Sequence, residues 1–326
     1  ESKLQRSQDF YNALDSLGSQ LPQKTRARCR LFISSRISGW NPDVDGGEVY
    51  RRLCRSTTGR TSVTKVVQIN PLTQSQIQLY AKHRGIDTPG SFINAVASAH
   101  AWSFVRRPID VEDLIQYWKA NSRLGTLTEL IEFNIRRNSV SPEKDRKAAL
   151  ADSRIRVGCE MLAAATVFCK NLRFRCSPGS RLDLVAMEPA ECLSGEWTPE
   201  EIYRLISLPI FDGANYGCVR FHHRRTTEYL AARWVARCVE RGCPLDELRD
   251  VFFEQIGSRW ELRSSLAPIA AWLCIGNESW NREFRGWVLQ SAPDIHWSHG
   301  DPAALDIEYR RATLRKLIER YAERKK

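Results

Sequence analysis

One stretch of the chain brings two histidines and two arginines to the start of a helix. Residues 221–226 read Phe-His-His-Arg-Arg-Thr, and they run from a strand-like segment into a helix predicted to begin near Thr226. Imidazole N–H groups, guanidinium groups and the free backbone N–H groups of a helix N-terminus all donate hydrogen bonds, so together they suit an anion such as phosphate. A basic surface patch without a ligand is the alternative interpretation of these side chains.

Two further sites carry weaker signals. Ser35 and Arg36 follow an apolar, strand-like run, Arg30–Ser34, and side chains at the carboxyl end of a buried strand face the ligand crevice of α/β proteins. The planar guanidinium of Arg36 can lie against a phosphate, although a solvated arginine at a strand end is the simpler interpretation. Pro108 stands before a helix whose predicted cap is Asp110, where proline ordinarily marks a helix boundary.

The composition is that of a folded, basic protein. Of the 326 residues, 42% are hydrophobic and 27% are charged, and the formal charge of +11 favours phosphate-bearing partners without identifying one. No apolar run has the length that a membrane span needs, so we expect no membrane partner. The ten cysteines include no Cys-x-x-Cys pair, so we expect reduced thiols in a cytoplasmic protein and no metal site.

A second pair of histidines, His296 and His299, lies close to Asp294 and Asp301. Such a set can hold a metal ion, but surface histidines without a ligand are the simpler interpretation. We find no Ser-His-Asp arrangement and no paired catalytic carboxylates. The sequence therefore gives no catalytic residue for a hydrolase.

Apolar periodicity and capping signals predict a mainly α protein. Helices are predicted over 3–17, at capping boxes that begin with Thr73 and Thr126, over 89–102, after Asp110, over 141–169, after Thr198, and from Thr226 to a stop at Gly242. Strands are predicted over Arg30–Ser34 and 63–69, with a turn-rich hairpin-like segment over 211–223. The tail is predicted to be helical, with apolar stripes over 266–273 and 314–321.

The chain resembles the NACHT branch of the STAND class of P-loop NTPases, which includes NOD-like receptors and many bacterial defence proteins. Residues 221–232 are similar to the winged-helix signature of that family, a Phe-x-His followed by Glu, an aromatic residue and small residues. The resemblance places His223 on the family histidine that contacts the β-phosphate of ADP, and it places Pro108 near the adenine. Ser34-Ser35-Arg36 is similar to the sensor-1 strand end, whose arginine lies near the γ-phosphate.

The resemblance implies four segments. Residues 1–60 would be the truncated edge of an α/β P-loop NTPase core, 61–140 a helical domain, 141–244 a winged-helix-like domain and 245–326 a helical region. The sequence lacks the phosphate loop Gly-x-x-x-x-Gly-Lys-Ser/Thr and the Walker B aspartates, which family members carry upstream of this part. We therefore expect a carboxyl-terminal part of a switch, inactive as an ATPase on its own, which would bind ADP or ATP with Mg²⁺ only in the complete protein.

The family mechanism implies the partners. His223 would tie the winged helix to the NTPase core in the ADP state, and nucleotide exchange would release it for self-oligomerisation in the cytoplasm. An amino-terminal effector and a carboxyl-terminal sensor would belong to the same longer chain. A helical interaction scaffold without nucleotide is one alternative, and a DNA-binding winged helix is another. We do not expect nucleic acid, because Arg233 and Arg237 are the only cations of the helix after Thr226.

Overall fold

The computed structural model describes residues 3–22, 32–33, 44–54, 67, 69–98, 101–105, 107–139, 150–176, 186–214 and 218–323. The described part is mainly helical, with fourteen α-helices and five strands of two to four residues. The chain divides into two compact units, Glu1–Pro71 and Leu72–Lys326. Each unit has its own cluster of buried apolar side chains.

The first unit contains two described helices. Helix α1 is Lys3–Gln20, and helix α2 is Asp45–Val49, which continues into a π-helical turn at Tyr50–Cys54. The predicted first helix is therefore confirmed and runs three residues further than 17. Its buried Leu14 packs in one cluster with Val49 and Leu53.

Two predicted strands of this unit are wrong where they can be checked. Phe32 and Ile33 belong to no strand, and Phe32 is 91% exposed. Val67 and Ile69 are likewise outside any strand and strongly exposed. An apolar run becomes a buried strand only when neighbouring strands pair with it, and every strand pair of the described residues lies between positions 174 and 262. Residues 30–31, 34–36, 63–66 and 68 lie outside the described residues.

The second unit begins with a layer of four α-helices. They are α3 (Gln74–His83), α4 (Pro89–Ser98), α5 (Pro108–Asn121) and α6 (Leu127–Asn138), with a 3₁₀ turn at Ala101–Phe104 between α4 and α5. The predicted capping boxes are confirmed, because Thr73 and Thr126 each accept a hydrogen bond from the backbone N–H three residues on. The core of this layer is apolar and includes Ile77, Phe92 and Ile115.

The prediction that Asp110 caps α5 is wrong. The N-cap residue is Arg107, and Asp110 lies in the first turn of the helix. Proline suits the first helical position because its φ is already helical and its missing N–H would have had no partner there. Pro108 therefore starts the helix three residues earlier than expected, and this leaves the Asp110 carboxylate available for other contacts.

The next segment alternates helices with short strands. In order, it contains α7 (Asp152–Phe168), β1 (Phe174–Arg175), α8 (Pro189–Cys192), α9 (Pro199–Ile206), β2 (Phe211–Ala214), β3 (Cys218–Phe221) and α10 (Arg224–Glu240). The strands form an antiparallel sheet in the order β1–β3–β2, with Phe211 opposite Phe221. The predicted hairpin and the helix that follows it are confirmed, and Gly242 ends that helix region with a φ of 101°.

The predicted long helix over 141–169 begins later than expected. Leu150 and Ala151 are not helical, and α7 starts at Asp152. Residues 142–147 read Pro-Glu-Lys-Asp-Arg-Lys, so they offer no apolar stripe to pack against a core. Residues 140–149 lie outside the described residues.

The remaining residues form the tail of the second unit. They contain α11 (Leu245–Phe252), β4 (Phe253–Ile256), β5 (Arg259–Leu262), α12 (Ala267–Leu273), α13 (Ser279–Ser291) and α14 (Ile307–Glu323), with 3₁₀ turns at Ser264–Leu266, Pro293–Trp297 and Pro302–Ala304. All seven residues of α12 are buried, which confirms the predicted stripe over 266–273. The stripe over 314–321 lies on α14 and is mostly exposed.

A long-range contact joins the tail to the first helical layer. Asp301, which is buried, accepts hydrogen bonds from the Thr128 backbone N–H at 2.8 Å and from the Thr128 hydroxyl at 2.7 Å. Thr128 lies in the first turn of α6, where backbone N–H groups have no partner within the helix. The carboxylate therefore satisfies the N-terminus of α6 and fixes it to the tail. Among the described helices, none is both long enough and apolar enough to cross a membrane.

Candidate functional site

Helices α5 and α10 begin beside each other. The N-cap residue of α5 is Arg107 and that of α10 is His223. The Nε2 atom of His223 lies 2.9 Å from Oδ1 of Asp110, a residue in the first turn of α5. Because the exposed N–H groups at a helix start carry partial positive charge, two helix N-termini and a histidine surround one carboxylate here.

Asp110 is held by three donors from two helix starts. Arg107 forms a fork on the carboxylate, with Nε 2.7 Å from Oδ2 and Nη2 2.8 Å from Oδ1, and His223 completes the set. Burial alone would raise the pKa of Asp110, but hydrogen bonds from His223 and Arg107 outweigh it and hold that pKa below its usual range. The carboxylate is therefore ionised at neutral pH.

More charged groups lie around this carboxylate. Asp113, one turn further along α5, pairs with Arg137 of α6 at 3.1 Å. Burial raises the pKa of Asp113, and the nearby His223 and Arg137 only partly offset this. Burial also lowers the pKa of the Arg225 guanidinium, against the attraction of Asp110. The meeting point of α5 and α10 thus contains cations and carboxylates in partly buried surroundings, where charge interactions are stronger than in bulk water.

The two adjacent histidines have different partners. The Nδ1 atom of His222 lies 2.7 Å from Oδ2 of Asp212 on strand β2, so this ring faces the hairpin. The ring of His223 faces α5 and is more buried, with 16% of its side chain exposed against 31% for His222. Of the pair, His223 is the one placed at the meeting point of the two helices.

The structure brings two of the four predicted site residues to one place. Pro108 is the exposed first residue of α5, two positions before the partner of His223. Ser35 and Arg36 lie outside the described residues. Sequence reasoning missed the role of Asp110, which it treated only as a helix cap. An Arg107-x-x-Asp110 spacing at a helix start was the available signal, because i,i+3 charges on a helix face each other.

A buried charge network fixes α10 against α6 and α7. Glu160 of α7 is 1% exposed and accepts hydrogen bonds from Arg237 of α10 and from Arg156, each with Nε at 2.9 Å. Arg156 also forks onto Glu132 of α6 at 2.8 and 2.9 Å, and the Tyr229 hydroxyl donates to the same carboxylate. Burial alone would lower the pKa of Arg156, but the carboxylates hold it above its usual range. The network therefore positions the helix that carries His223.

Outside the site at His223, the reactive side chains that the structure describes do not form a second centre. Burial raises the pKa of the Cys159 and Cys274 thiols to about 12, so both stay protonated and unreactive at neutral pH. His296 is buried, which corrects the expectation of a surface histidine; its 3₁₀ turn folds the ring against Tyr309 of α14, with Nε2 3.3 Å from the hydroxyl. In the described part of the chain, no group of three or more histidine, cysteine or carboxylate side chains is arranged to hold a metal ion.

The arrangement at His223 is suited to holding an anion. Its donors are an imidazole and a guanidinium fork at the starts of two helices, and in this structure the anion is the chain's own Asp110 carboxylate. No protein-family model, curated protein or solved structure gives a significant match to the chain. The functional interpretation therefore depends on this geometry and on the sequence pattern.

Proposed function

We propose that this chain is part of a nucleotide-dependent signalling switch of the NACHT/STAND class. In the complete protein, ADP or ATP with Mg²⁺ would be held between the NTPase core and the helix starts described here, and activation would lead to self-oligomerisation. An effector and a sensor would belong to the same longer chain, in the cytoplasm. The second unit would contact nucleotide through His223 and Pro108. The resemblance also assigns Ser35 and Arg36, which lie outside the described residues, to nucleotide contact in the complete protein.

The convergence of His223 with the start of α5 carries this proposal. The family resemblance requires Pro108 and His223 to face one nucleotide, although more than a hundred positions separate them. His223 lies against Asp110, 113 positions away in sequence and in the first turn of the helix that Pro108 begins. A chance motif match would give no reason for these two elements to meet, so the contact supports the assignment of both residues.

The order of elements around the site gives further support. The elements follow in the order α7–β1–α8–α9–β2–β3, and β1 pairs with β3. This order is similar to that of a winged-helix domain, which supports the proposal. Helix α10 follows the hairpin directly. His223 is then the N-cap residue between the hairpin and α10, a position at the edge of the proposed domain that suits a contact with a neighbouring one.

The structure suggests how His223 can act in a switch. Its Nε2 atom can donate to the Asp110 carboxylate or to a phosphate oxygen, but a single N–H does not serve both fully. Phosphate binding would therefore exchange one acceptor for another and loosen α10 from α5. A ligand shifts such an equilibrium only by its difference in affinity for the two states, and one charge-assisted hydrogen bond contributes about 1.5–3 kcal/mol. That corresponds to roughly one to two decades in population.

Nucleotide affinity of the complete protein tests the proposal. We expect His223→Leu to weaken ADP binding about ten- to a hundred-fold by isothermal titration calorimetry and to raise basal signalling. The matched control is His222→Leu, because that ring faces Asp212 and not α5. Unchanged ADP affinity in His223→Leu, or an equal loss in both variants, would overturn the assignment.

A helical scaffold that binds no nucleotide is the second candidate function. It is favoured by the exposed apolar residues of α14, which are described below. If the complete protein binds neither ADP nor ATP, the helical scaffold replaces the nucleotide switch as the favoured function. DNA binding has less support: α10 is largely buried, and α9 carries Glu200 and Glu201 in its first turn, where phosphate contacts would need cations. A salt titration of DNA affinity checks that alternative.

A further inference from the structure

Helix α14 exposes a row of large apolar side chains. Ile307, Leu314 and Ile318 are 50%, 56% and 62% exposed, and Tyr321, at 63%, extends the row. Their spacings of seven, four and three residues place them on one side of the helix. Single exposed apolar residues are common on protein surfaces, whereas an aligned row of them marks an interaction surface. We call these four residues the α14 stripe.

The opposite side of α14 is anchored, so the stripe faces outward in a fixed orientation. Tyr309 and Thr313 are each 7% exposed, and the Tyr309 hydroxyl lies 3.3 Å from Nε2 of His296. The backbone N–H of Tyr309 donates to the Asp306 carboxylate at 2.8 Å, and Arg320 donates to the Ser291 carbonyl of α13 at 3.1 Å. Because these contacts fix the rotation of the helix, the stripe cannot turn into the core of the unit.

The flanks of the α14 stripe are positively charged. Arg310, Arg311 and Arg315 are exposed beside it. Arg311 pairs with Glu308 at 2.7 Å, whereas Arg310 and Arg315 form no ion pair with any residue that the structure describes. The surface therefore combines an apolar seam with uncompensated positive charge. Such a seam is matched by apolar residues flanked by carboxylates.

We propose that the α14 stripe docks an amphipathic helix of a partner protein, with acidic residues beside its apolar positions. The alternating four- and three-residue spacing is that of the seam between two packed helices, in which apolar side chains of each helix fit between those of the other. Glutamates on the partner would then meet Arg310 and Arg315. This interaction goes beyond the proposed nucleotide switch and does not depend on it.

Charge argues against a second copy as the occupant of the α14 stripe, and the width of the stripe argues against a membrane. A second copy of the chain docked through its own α14 would bring the Arg310, Arg311 and Arg315 side chains of two molecules together, and like charges across a helix pair are unfavourable. A membrane surface is better matched by an apolar face at least about 100° wide than by the narrow α14 stripe. The partner helix is the occupant that fits both the width and the charge.

A designed peptide tests the proposal with the chain as it stands. The probe is a fluorescein-labelled helix of about three heptads with leucine and isoleucine at its seam and glutamate on both flanks, since glutamate also disfavours pairing of the peptide with itself. We expect saturable binding by fluorescence anisotropy, with affinity that falls as salt rises. The same peptide with lysine on its flanks should bind at least about ten-fold more weakly.

Two variants locate the binding surface. L314E with I318E should abolish binding of the acidic peptide, because it places carboxylates in the seam. The matched control is L79E, on helix α3, where the leucine is also 56% exposed. Since all three positions are exposed, we expect helical content by circular dichroism to match that of the unmodified chain.

Several results would overturn the proposal. One is that neither peptide binds, and another is that the acidic and lysine peptides bind equally well. A third is that L79E loses as much binding of the acidic peptide as L314E with I318E. Dimerisation of the chain in light scattering that L314E with I318E abolishes would assign the face to a second copy instead. Sedimentation with phosphatidylserine vesicles but no peptide binding would assign it to a membrane. Failure of ADP binding in the complete protein would leave all these outcomes unchanged, so the two proposals are tested separately.

Discussion

The Nε2 atom of His223 and the Oδ1 atom of Asp110 lie 2.9 Å apart, although 113 positions separate them in the sequence. The contact joins the first residue of one helix region to the first turn of another. With Arg107 it forms a compact group of one carboxylate and three donor atoms from two residues, which neither helix forms alone. Because the group closes on itself, any external anion has to compete with Asp110 for the same hydrogen atoms.

Asp110→Asn should destabilise the second unit at neutral pH. The charged carboxylate accepts from Arg107 and His223, and losing such charge-assisted hydrogen bonds costs about 1–3 kcal/mol in the free energy of unfolding. Its pKa is lowered on folding, so the wild type keeps this stability above the unfolded pKa and loses it as pH falls through the folded one. In urea denaturation, the free energy of unfolding of the variant should be lower than that of the wild type at pH 7, and this difference should disappear in acid. Asp87→Asn, at an exposed carboxylate, is the control, and equal midpoints for the two variants would contradict the prediction.

Glu160→Gln should be among the most destabilising single changes. The carboxylate is 1% exposed and forms ion pairs with both Arg156 and Arg237. Removing one member of a buried charge group leaves the others uncompensated and costs about 3–5 kcal/mol. Glu308→Gln, which breaks the exposed pair with Arg311, should cost less than about 1 kcal/mol. Thermal denaturation of both variants measures the contrast, and comparable losses would show that the network carries no special stability.

Two glycine substitutions should act in opposite directions. A Cβ atom at Gly158 of α7 would lie 2.6 Å from Leu205 and 2.8 Å from the Trp197 ring, so Gly158→Ala should overpack the core and cost about 1–3 kcal/mol. Gly286, in the interior of α13, has no neighbouring atom within 4 Å of the added Cβ. Gly286→Ala should therefore stabilise the protein by about 0.5–1 kcal/mol through helix propensity. Melting temperatures that shift in the same direction would disprove the packing argument at Gly158.

His296 should make stability depend on pH in the mildly acidic range. Burial, with smaller contributions from Arg285 and His299, lowers its pKa to about 4. The folded state then binds fewer protons than the unfolded state between the two pKa values, so stability is complete above about pH 6.5 and falls by up to about 3 kcal/mol as pH drops to 4.

The matched variant for this prediction is His296→Gln, which cannot gain the proton. It should be less stable than the wild type at pH 7.5, because it disturbs the contact with Tyr309. The difference between the two proteins should then narrow steadily toward pH 4.5, measured by urea denaturation at each pH. A constant difference across this range would mean that His296 does not titrate between the folded and unfolded states as described.

Features that depend on nearby residues were predicted well from the sequence. The capping boxes at Thr73 and Thr126 are present as predicted, since each needs only a hydroxyl and a glutamine or glutamate three residues later. The predicted helix start after Thr198 is present too, and it has the same capping box. The strand failures at Phe32 and Ile69 have a different origin. Apolar character alone does not make a strand, because the pairing partner is not encoded in the run itself.

The site was predictable only in part for the same reason. The family resemblance selects His223 over His222, and the ring of His223 does face the helix that Pro108 starts. Asp110 was missed because its partner comes from another helix, and no local pattern predicts which helix starts will lie side by side. The network at Glu160 was equally hidden, since its arginines come from two helices and carry no motif.

The bond between Thr128 and Asp301 has a consequence for the nascent chain. The two residues are 173 positions apart, which the ribosome covers in about 9–35 s at roughly 5–20 residues per second. During that interval the start of α6 has to rely on Thr126 and water for its N–H groups. Emergence of Asp301 from the ribosome, and not the emergence of α6 itself, is therefore the step after which the second unit can lock into its final state.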